Sequence, residues 1–248
     1  MKDPIITVLV ATMNERPEWL KKSLDSHLAN HIDKQIIVST FLQDKNISLL
    51  RQYENRNQIE INYCDHVKHS KFGYSPCGVY FQINSALHLI RGKWFYYFSS
   101  NDYVSETKMK DELNMLNETS AKVCYSAFNV FGEQDYKQKQ RTFRSEYSYP
   151  AHIRGNYVSD ASLVNVEMLR KYLPYRSDLY GNLAHWDLWL RIFEGEGNVF
   201  CYNSKPAFYY RQNFDSMHNK RKSAIEKQEQ IKKYLKNLLQ YNNRNKIT

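Results

Sequence analysis

The chain has 248 residues, 42% hydrophobic and 25% charged, a balance that buries most of the surface an unfolded chain exposes and excludes a disordered polypeptide. Its formal charge of +9 suggests a polyanionic partner, but nine basic and two acidic residues lie from Lys220 onward, leaving only +2 on the first 219. That distribution argues against specific nucleic-acid binding, and no apolar run reaches the length of a membrane-spanning helix.

In chain order, residues 5–10 form a β-branched apolar run. Polar Thr12, Asn14, Glu15 and Arg16 follow, then Pro17 with Leu20, Leu24 and Leu28 at helical spacing. The pattern reads as strand, loop and helix. Residues 36–38 predict a second strand, 47–53 a short helix and 59–63 a third strand. A loop with Gly73, Pro76 and Gly78 leads to a helical stripe of Val79, Ile83, Leu87 and Ile90, with Gly92 as its stop.

Residues 93–98 are an aromatic strand ending in Ser99, Ser100, Asn101 and Asp102. Ser105 then caps an expected helix bearing Met109, Leu113 and Leu116, and 123–126 is a further strand. From Phe128 to Pro150 the periodicity is lost in an irregular, aromatic-rich insert. Order returns at 162–169, 183–193 reads as a helix, and two strands are expected at 199–202 and 208–211, on either side of Pro206. The last 29 residues, 220–248, predict a basic amphipathic helix that either packs on the domain with its lysines in water or makes peripheral contact with anionic lipid. Short strands alternating with helices predict an α/β fold with a mostly parallel sheet, whose ligands lie beyond the carboxyl ends of the strands.

Cys64, Cys77, Cys124 and Cys201 form no CxxC pair, and no signal-peptide pattern opens the chain. A reducing, cytoplasmic location is therefore expected. Cys64, His66, His69 and Cys77 are four zinc-donor types, but their spacing matches no common ligand set. Gly195 and Gly197 follow a helix rather than a strand, against dinucleotide binding, and a Walker A segment is absent.

Two carboxylates carry the chemistry. Asp102, at the end of a strand, either holds a divalent cation or caps a turn. Asp187, between Trp186 and Trp189, is either a general base whose charged form is disfavoured by its surroundings, or half of an i,i+4 ion pair with Arg191.

Several segments together resemble the inverting nucleotide-sugar glycosyltransferases of the A-type, family 2-like group. Residues 6–26 resemble the group's first strand, nucleotide loop and helix. Residues 72–104, with Gly73, Asn84 and Gly92, resemble the stretch leading into its metal motif. Residues 185–192 resemble the acidic segment before its aromatic helix, and 206–218 its closing Arg/His segment.

The resemblance implies a GT-A-like, Rossmann-type fold over 1–219, with a nucleotide-binding half at about 1–126 and an acceptor-side half at about 127–219. It also implies a UDP-linked or similar sugar donor, Mn2+ or Mg2+, and a glycan, lipid-linked or protein hydroxyl as acceptor. Asp187 falls at the base position. Thr12, Asn14, Glu15, Asn84, Asn101, Asp102 and Arg211 fall on the donor side, Asp102 and His218 near the metal, and Trp186 and Tyr147 on the acceptor side.

Two departures stand out. Ser39, Thr40 and Phe41 replace the acidic pair that usually ends the second strand, which passes base or ribose recognition to other groups, either Asp44 or a backbone contact. Ser99–Ser100–Asn101–Asp102 keeps only the last aspartate of the metal motif. Lost chemistry, in a relative that binds nucleotide sugar or glycan without turnover, is the alternative.

Overall fold

A computed structural model describes residues 3–64, 77–132, 139–141, 145–176 and 183–212. In order come β1 (Ile6–Ala11), α1 (Pro17–Ala29), β2 (Lys34–Phe41), α2 (Ile47–Glu54), β3 (Glu60–Cys64), α3 (Cys77–Ala86), β4 (Trp94–Ser99), β5 (Tyr103–Val104) and α4 (Lys108–Thr119). They are followed by β6 (Val123–Gly132), β7 (Lys139–Arg141), α5 (Tyr149–Arg154), β8 (Leu163–Asn165), α6 (Val166–Arg170), α7 (Leu183–Glu196) and β9 (Phe200–Gln212).

The described strands form one sheet in the order β3-β2-β1-β4-β8-β6-β9-β5, with β7 paired to β6. β1 to β4 are mutually parallel where they pair. β8 runs antiparallel to both β4 and β6, β6 and β9 are parallel, and β5 is antiparallel to β9.

Strand alternation divides the core. Ile6, Val8 and Val10 pack with Leu20 and Leu24 of α1, Leu50 of α2 and Met109 of α4 on one face. Leu9 and Ala11 pack with Ile83 of α3 and Leu188, Trp189 and Ile192 of α7 on the other. A strand covered on both faces has no polar side to show, which is why β1 is apolar apart from Thr7, whose buried hydroxyl is engaged by Gln35 and Gly92. Each buried Val, Leu, Ile or Met side chain among these contributes roughly 1.5–3 kcal/mol by leaving water. This is the Rossmann-type, GT-A-like architecture expected, except that the sheet is mixed rather than mostly parallel, because β5, β7 and β8 pair antiparallel with their neighbours.

Four local expectations change. Gly92 is not the helix stop, because α3 ends at Ala86 and a 3-10 turn at Leu87–Leu89 follows. A Cβ on Gly92 would lie 2.5 Å from the Thr7 backbone nitrogen, and its own N–H donates to Thr7 Oγ1 at 2.8 Å. Ser105 does not cap α4 with its side chain. Its carbonyl accepts from Lys108 N at 3.3 Å instead.

β6 continues to Gly132, so the irregular insert does not begin at Phe128, whose ring stacks on Phe208 with centroids 4.8 Å apart. The two strands expected around Pro206 are one, β9. Its register against β6 shifts between Ser126 and Phe128, and Pro206 lies in that bulge, where no ladder N–H is required of it.

Among the described residues no helix is long and apolar enough to cross a membrane. The basic segment 220–248 lies outside the described residues.

Candidate functional site

The parallel, in-register strands β1, β2 and β4 bring their carboxyl ends to one side of the sheet. After β1, Thr12 N–H donates to Ser39 O at 3.0 Å. Asn14 then takes φ 53, a left-handed conformation that Asn tolerates better than most residues.

Asp44 fixes this loop. Its Oδ2 accepts from Asn14 N–H at 2.8 Å and from Thr40 Oγ1 at 2.9 Å, and its Oδ1 accepts from Asn46 N–H at 2.8 Å. Asn14 Oδ1 in turn accepts from Lys45 N–H at 2.9 Å. Asp44 is thus a loop brace, with both oxygens engaged by the chain rather than presented to a base or ribose. Glu15 is half-buried, and burial raises its carboxyl above the ordinary range while Lys45, Arg211 and Arg16 pull it back.

β5 and β9 bring Arg211 to Asp102. Tyr103 pairs with Tyr209 in an antiparallel register, so the chain just before β5 meets the end of β9. Arg211 N–H donates to Asp102 Oδ1 at 2.6 Å, and Arg211 Nε donates to Asn101 O at 3.0 Å. The guanidinium lies 4.3 Å from the Trp19 ring centre and 4.4 Å from that of Phe131.

Arg16 also stacks on Trp19 at 4.2 Å, and Lys22 Nζ sits 3.7 Å from the Tyr103 ring centre. Asp102 is 5% exposed. Burial pushes its carboxyl up to about 8, against the pull of Arg211 and with the like charges of Glu15 and Asp160 adding to the rise.

Asp160 is a residue that sequence reasoning missed. β8 runs against β4, with Phe95 opposite Val164 and Trp94 opposite Asn165, so the residues leading into β8 arrive at the end of β4 where Asp102 sits. Asp160 Oδ1 lies 3.5 Å from His185 Nδ1, and its side chain is 37% exposed while that of His185 is 1% exposed. His185 Nδ1 is also 3.0 Å from Tyr80 Oη, and its ring stacks on Tyr97.

Asp187 and His185, two positions apart on α7, are about 200° apart around the helix axis. His185 faces β4. Asp187 faces Arg191, whose Nε donates to Asp187 Oδ2 at 2.7 Å, and Arg176, whose Nη1 is 3.6 Å from Oδ1. The ion pair that the i,i+4 spacing allowed is present.

Trp186 and Tyr147 are 5% and 7% exposed. Trp186 Nε1 donates to His152 O at 2.8 Å, and Tyr147 stacks on Phe200 at 4.0 Å with its Oη 2.7 Å from His152 Nδ1. Both rings are packed in the interior, so neither presents a face to an acceptor. Asn84 joins α3 to the chain ahead of α7 by donating from Nδ2 to Tyr175 O and accepting from Tyr175 N–H, each at 2.9 Å. The site thus brings together Thr12, Asn14, Glu15, Asn101, Asp102 and Arg211, with Asp44 and Asn84 as braces. His218, Gly73, His66 and His69 lie outside the described residues.

Among the described residues no three His, Cys, Asp or Glu side chains converge to hold a metal ion. Asp102, at the carboxyl end of β4, is the one carboxylate of the metal motif present, which fits a divalent ion that takes a single protein carboxylate and fills its remaining positions with phosphate oxygens and water.

No family model and no curated protein matches the chain. Solved structures do. S. aureus TarS 1-349 in complex with UDP-GlcNAc gives a TM-score of 0.67 at 14% identity, over 93% of this chain and 65% of that one. The same protein in complex with UDP gives 0.65 at 15% identity, over 84% and 61%. The mannosyltransferase PcManGT from Pyrobaculum calidifontis, in complex with GDP-Man and Mn2+, gives 0.58 at 12% identity, over 87% and 59%. The chain therefore spans less than two thirds of each of these chains. At such identities the likeness establishes a shared fold.

Proposed function

We propose that this chain is a glycosyltransferase that takes its sugar from a nucleoside diphosphate, passes it to a hydroxyl and inverts the anomeric carbon. The observation that carries the reading is the Asp102–Arg211 corner at the carboxyl end of β4, in a fold shared with proteins solved with UDP, UDP-GlcNAc and GDP-Man. The diphosphate lies between that corner and the loop after β1, where Arg211, Arg16, Lys22 and Lys45 supply positive charge. Guanidinium groups match phosphoryl oxygens in pairs. Thr12, Asn14 and Glu15 border the nucleoside, with UDP as the proposed carrier.

Asp102 is the carboxylate for Mn2+ or Mg2+, and such an ion neutralises charge on a departing diphosphate. A glycan, a lipid-linked saccharide or a protein supplies the acceptor hydroxyl. The basic segment 220–248 is proposed to touch anionic lipid from a cytoplasmic location.

A thermal-shift panel of UDP, UDP-GlcNAc, GDP and GDP-Man, each with Mn2+ and with EDTA, tests the reading. A ligand at about 100 times its Kd stabilises the folded state by roughly 2.7 kcal/mol. One nucleotide series is expected to raise Tm, more with Mn2+. No shift with any of the four contradicts the proposal.

A second reading, a nucleotide-sugar-binding protein without turnover, is favoured by one observation. Ser99, Ser100 and Asn101 precede Asp102 without a second carboxylate. Donor binding with no release of nucleotide over hours distinguishes it.

A further inference from the structure

Resting on the glycosyltransferase reading, we infer that Asp160 is the general base that takes the proton from the acceptor hydroxyl. Three observations carry this assignment. The first is position. Because β8 is antiparallel to β4, the turn before it reaches the same end of the sheet as Asp102, and Asp102 feels the Asp160 charge.

The second is fixation. Ser162 Oγ donates to Ser159 O at 2.7 Å across the turn, and the buried Lys108 Nζ donates to Ala161 O at 2.8 Å, so the backbone on both sides of Asp160 is held. The third is access combined with a closed back. The Asp160 side chain keeps 37% of its surface open, against 5% for that of Asp187, while His185 stands 3.5 Å behind it.

Among the described residues, the titratable groups that sense or face Asp160 are neutral or acidic. His185 comes from α7, where burial holds its imidazole down to about 3 and therefore uncharged at neutral pH. Tyr80 of α3, Tyr97 of β4 and Tyr175 all sense the Asp160 charge, and burial raises each phenol, so they too stay uncharged. Asp102 is the acidic neighbour. Protein on most sides lifts the Asp160 carboxyl to about 7, where a base can both accept and release a proton near neutrality. Asp187, by contrast, is paired with Arg191 and Arg176.

In the step itself, the acceptor oxygen forms a bond to the anomeric carbon as the bond from that carbon to the diphosphate oxygen breaks. The electron pair of the broken bond leaves with the nucleoside diphosphate. The acceptor proton passes to an Asp160 carboxylate oxygen and is lost to water after product release.

Asp160→Asn keeps the size of the side chain and removes the base. Water serves as acceptor, so release of UDP from UDP-GlcNAc, or of GDP from GDP-Man, is followed with Mn2+ in wild type, Asp160→Asn and Asp187→Asn. Calorimetric donor affinity and Tm are measured alongside. Asp160→Asn is expected to lose about 10²–10⁴-fold in release rate, with Tm and donor affinity kept.

Wild-type release by Asp160→Asn, or a loss matched by equally weakened donor affinity, overturns the assignment. Wild type that binds a donor but releases nothing also overturns it and favours the second reading above. Wild type that binds neither donor defeats the glycosyltransferase reading itself.

Discussion

Asp187 and Arg191 lie on one face of α7 with Arg191 Nε 2.7 Å from the Asp187 carboxylate, while His185 on the opposite face meets Asp160. Asp187→Asn is therefore expected to act on stability. It weakens a largely buried, charge-assisted hydrogen bond, at a cost of about 1.5–3 kcal/mol, read as a lower urea midpoint. Nucleotide release per folded molecule stays near wild type. An unchanged midpoint with release reduced about 10²-fold or more would return the base to Asp187.

Arg211 stacks between Trp19 and Phe131 and reaches Asn101 O with Nε. Arg211→Gln is expected to weaken donor binding by about 1.5–3 kcal/mol, roughly 10- to 100-fold in Kd. Arg211→Lys should recover little of it, because an ammonium neither stacks as a plane nor offers a fork. Titration calorimetry with UDP-GlcNAc and GDP-Man measures both. The backbone N–H that bonds Asp102 survives in each variant, so Tm should change less than affinity.

His27 is fully buried beneath the sheet, its Nδ1 3.0 Å from Tyr96 Oη and its ring against Phe98. Burial, helped by the charges of Lys108 and Lys34, holds its imidazole down to about 3 from an ordinary 6.5. Below about pH 6.5 the unfolded chain binds a proton that the native state refuses. The stability His27 provides is therefore complete above that pH and lost as pH falls toward 3, by about 1.4 kcal/mol per pH unit at most. His27→Gln lacks this loss, so its disadvantage in urea melts should be larger at pH 8 than at pH 5. Parallel pH curves for the two proteins would contradict the account.

Lys108 and Glu112 form a buried pair at 2.6 Å, and Glu112 Oε1 also accepts from Ser126 Oγ at 2.6 Å. Lys108→Met leaves a buried carboxyl without its cation and frees Ala161 O, at an expected cost of about 3–5 kcal/mol in stability. The double variant Lys108→Met with Glu112→Leu removes both charges and should recover much of that loss, since apolar replacement of a whole buried pair is often tolerated. A double variant as unstable as the single one would show that the hydrogen bond to Ala161, rather than the charge pair, dominates.

The parallel half of the molecule was legible because its physics is local. β1 is buried and apolar apart from Thr7, as a strand covered on both faces should be, Pro17 opens α1, and Asp102 lies in the turn that ends an aromatic strand. What escaped depends on direction and partners. Nothing in the sequence around Ser159–Asp160 says that β8 runs backward, yet that reversal carries Asp160 to the site.

The Asp187 reading left two roles open, and the structure adds to the foreseen Arg191 pair a second partner, Arg176, that no sequence spacing announces. Helix period alone offered one usable signal, since His185 and Asp187 must face opposite ways. The resemblance puts Trp186 and Tyr147 on the acceptor side, but Tyr147 is covered by Phe193 and Phe200 from the other end of the chain. Asp44 and Asn84 are polar residues whose hydrogen-bonding groups are engaged by backbone, which composition does not reveal.

Calorimetric titration of UDP-GlcNAc and GDP-Man into wild type and Asp102→Asn, with Mn2+ and then with EDTA, tests most directly whether a sugar nucleotide docks at the Asp102–Arg211 corner. The account predicts that wild type binds one of the donors more tightly with Mn2+, and that Asp102→Asn loses this gain while staying folded. Equal affinity of both proteins under both conditions, or no binding by wild type, would contradict it.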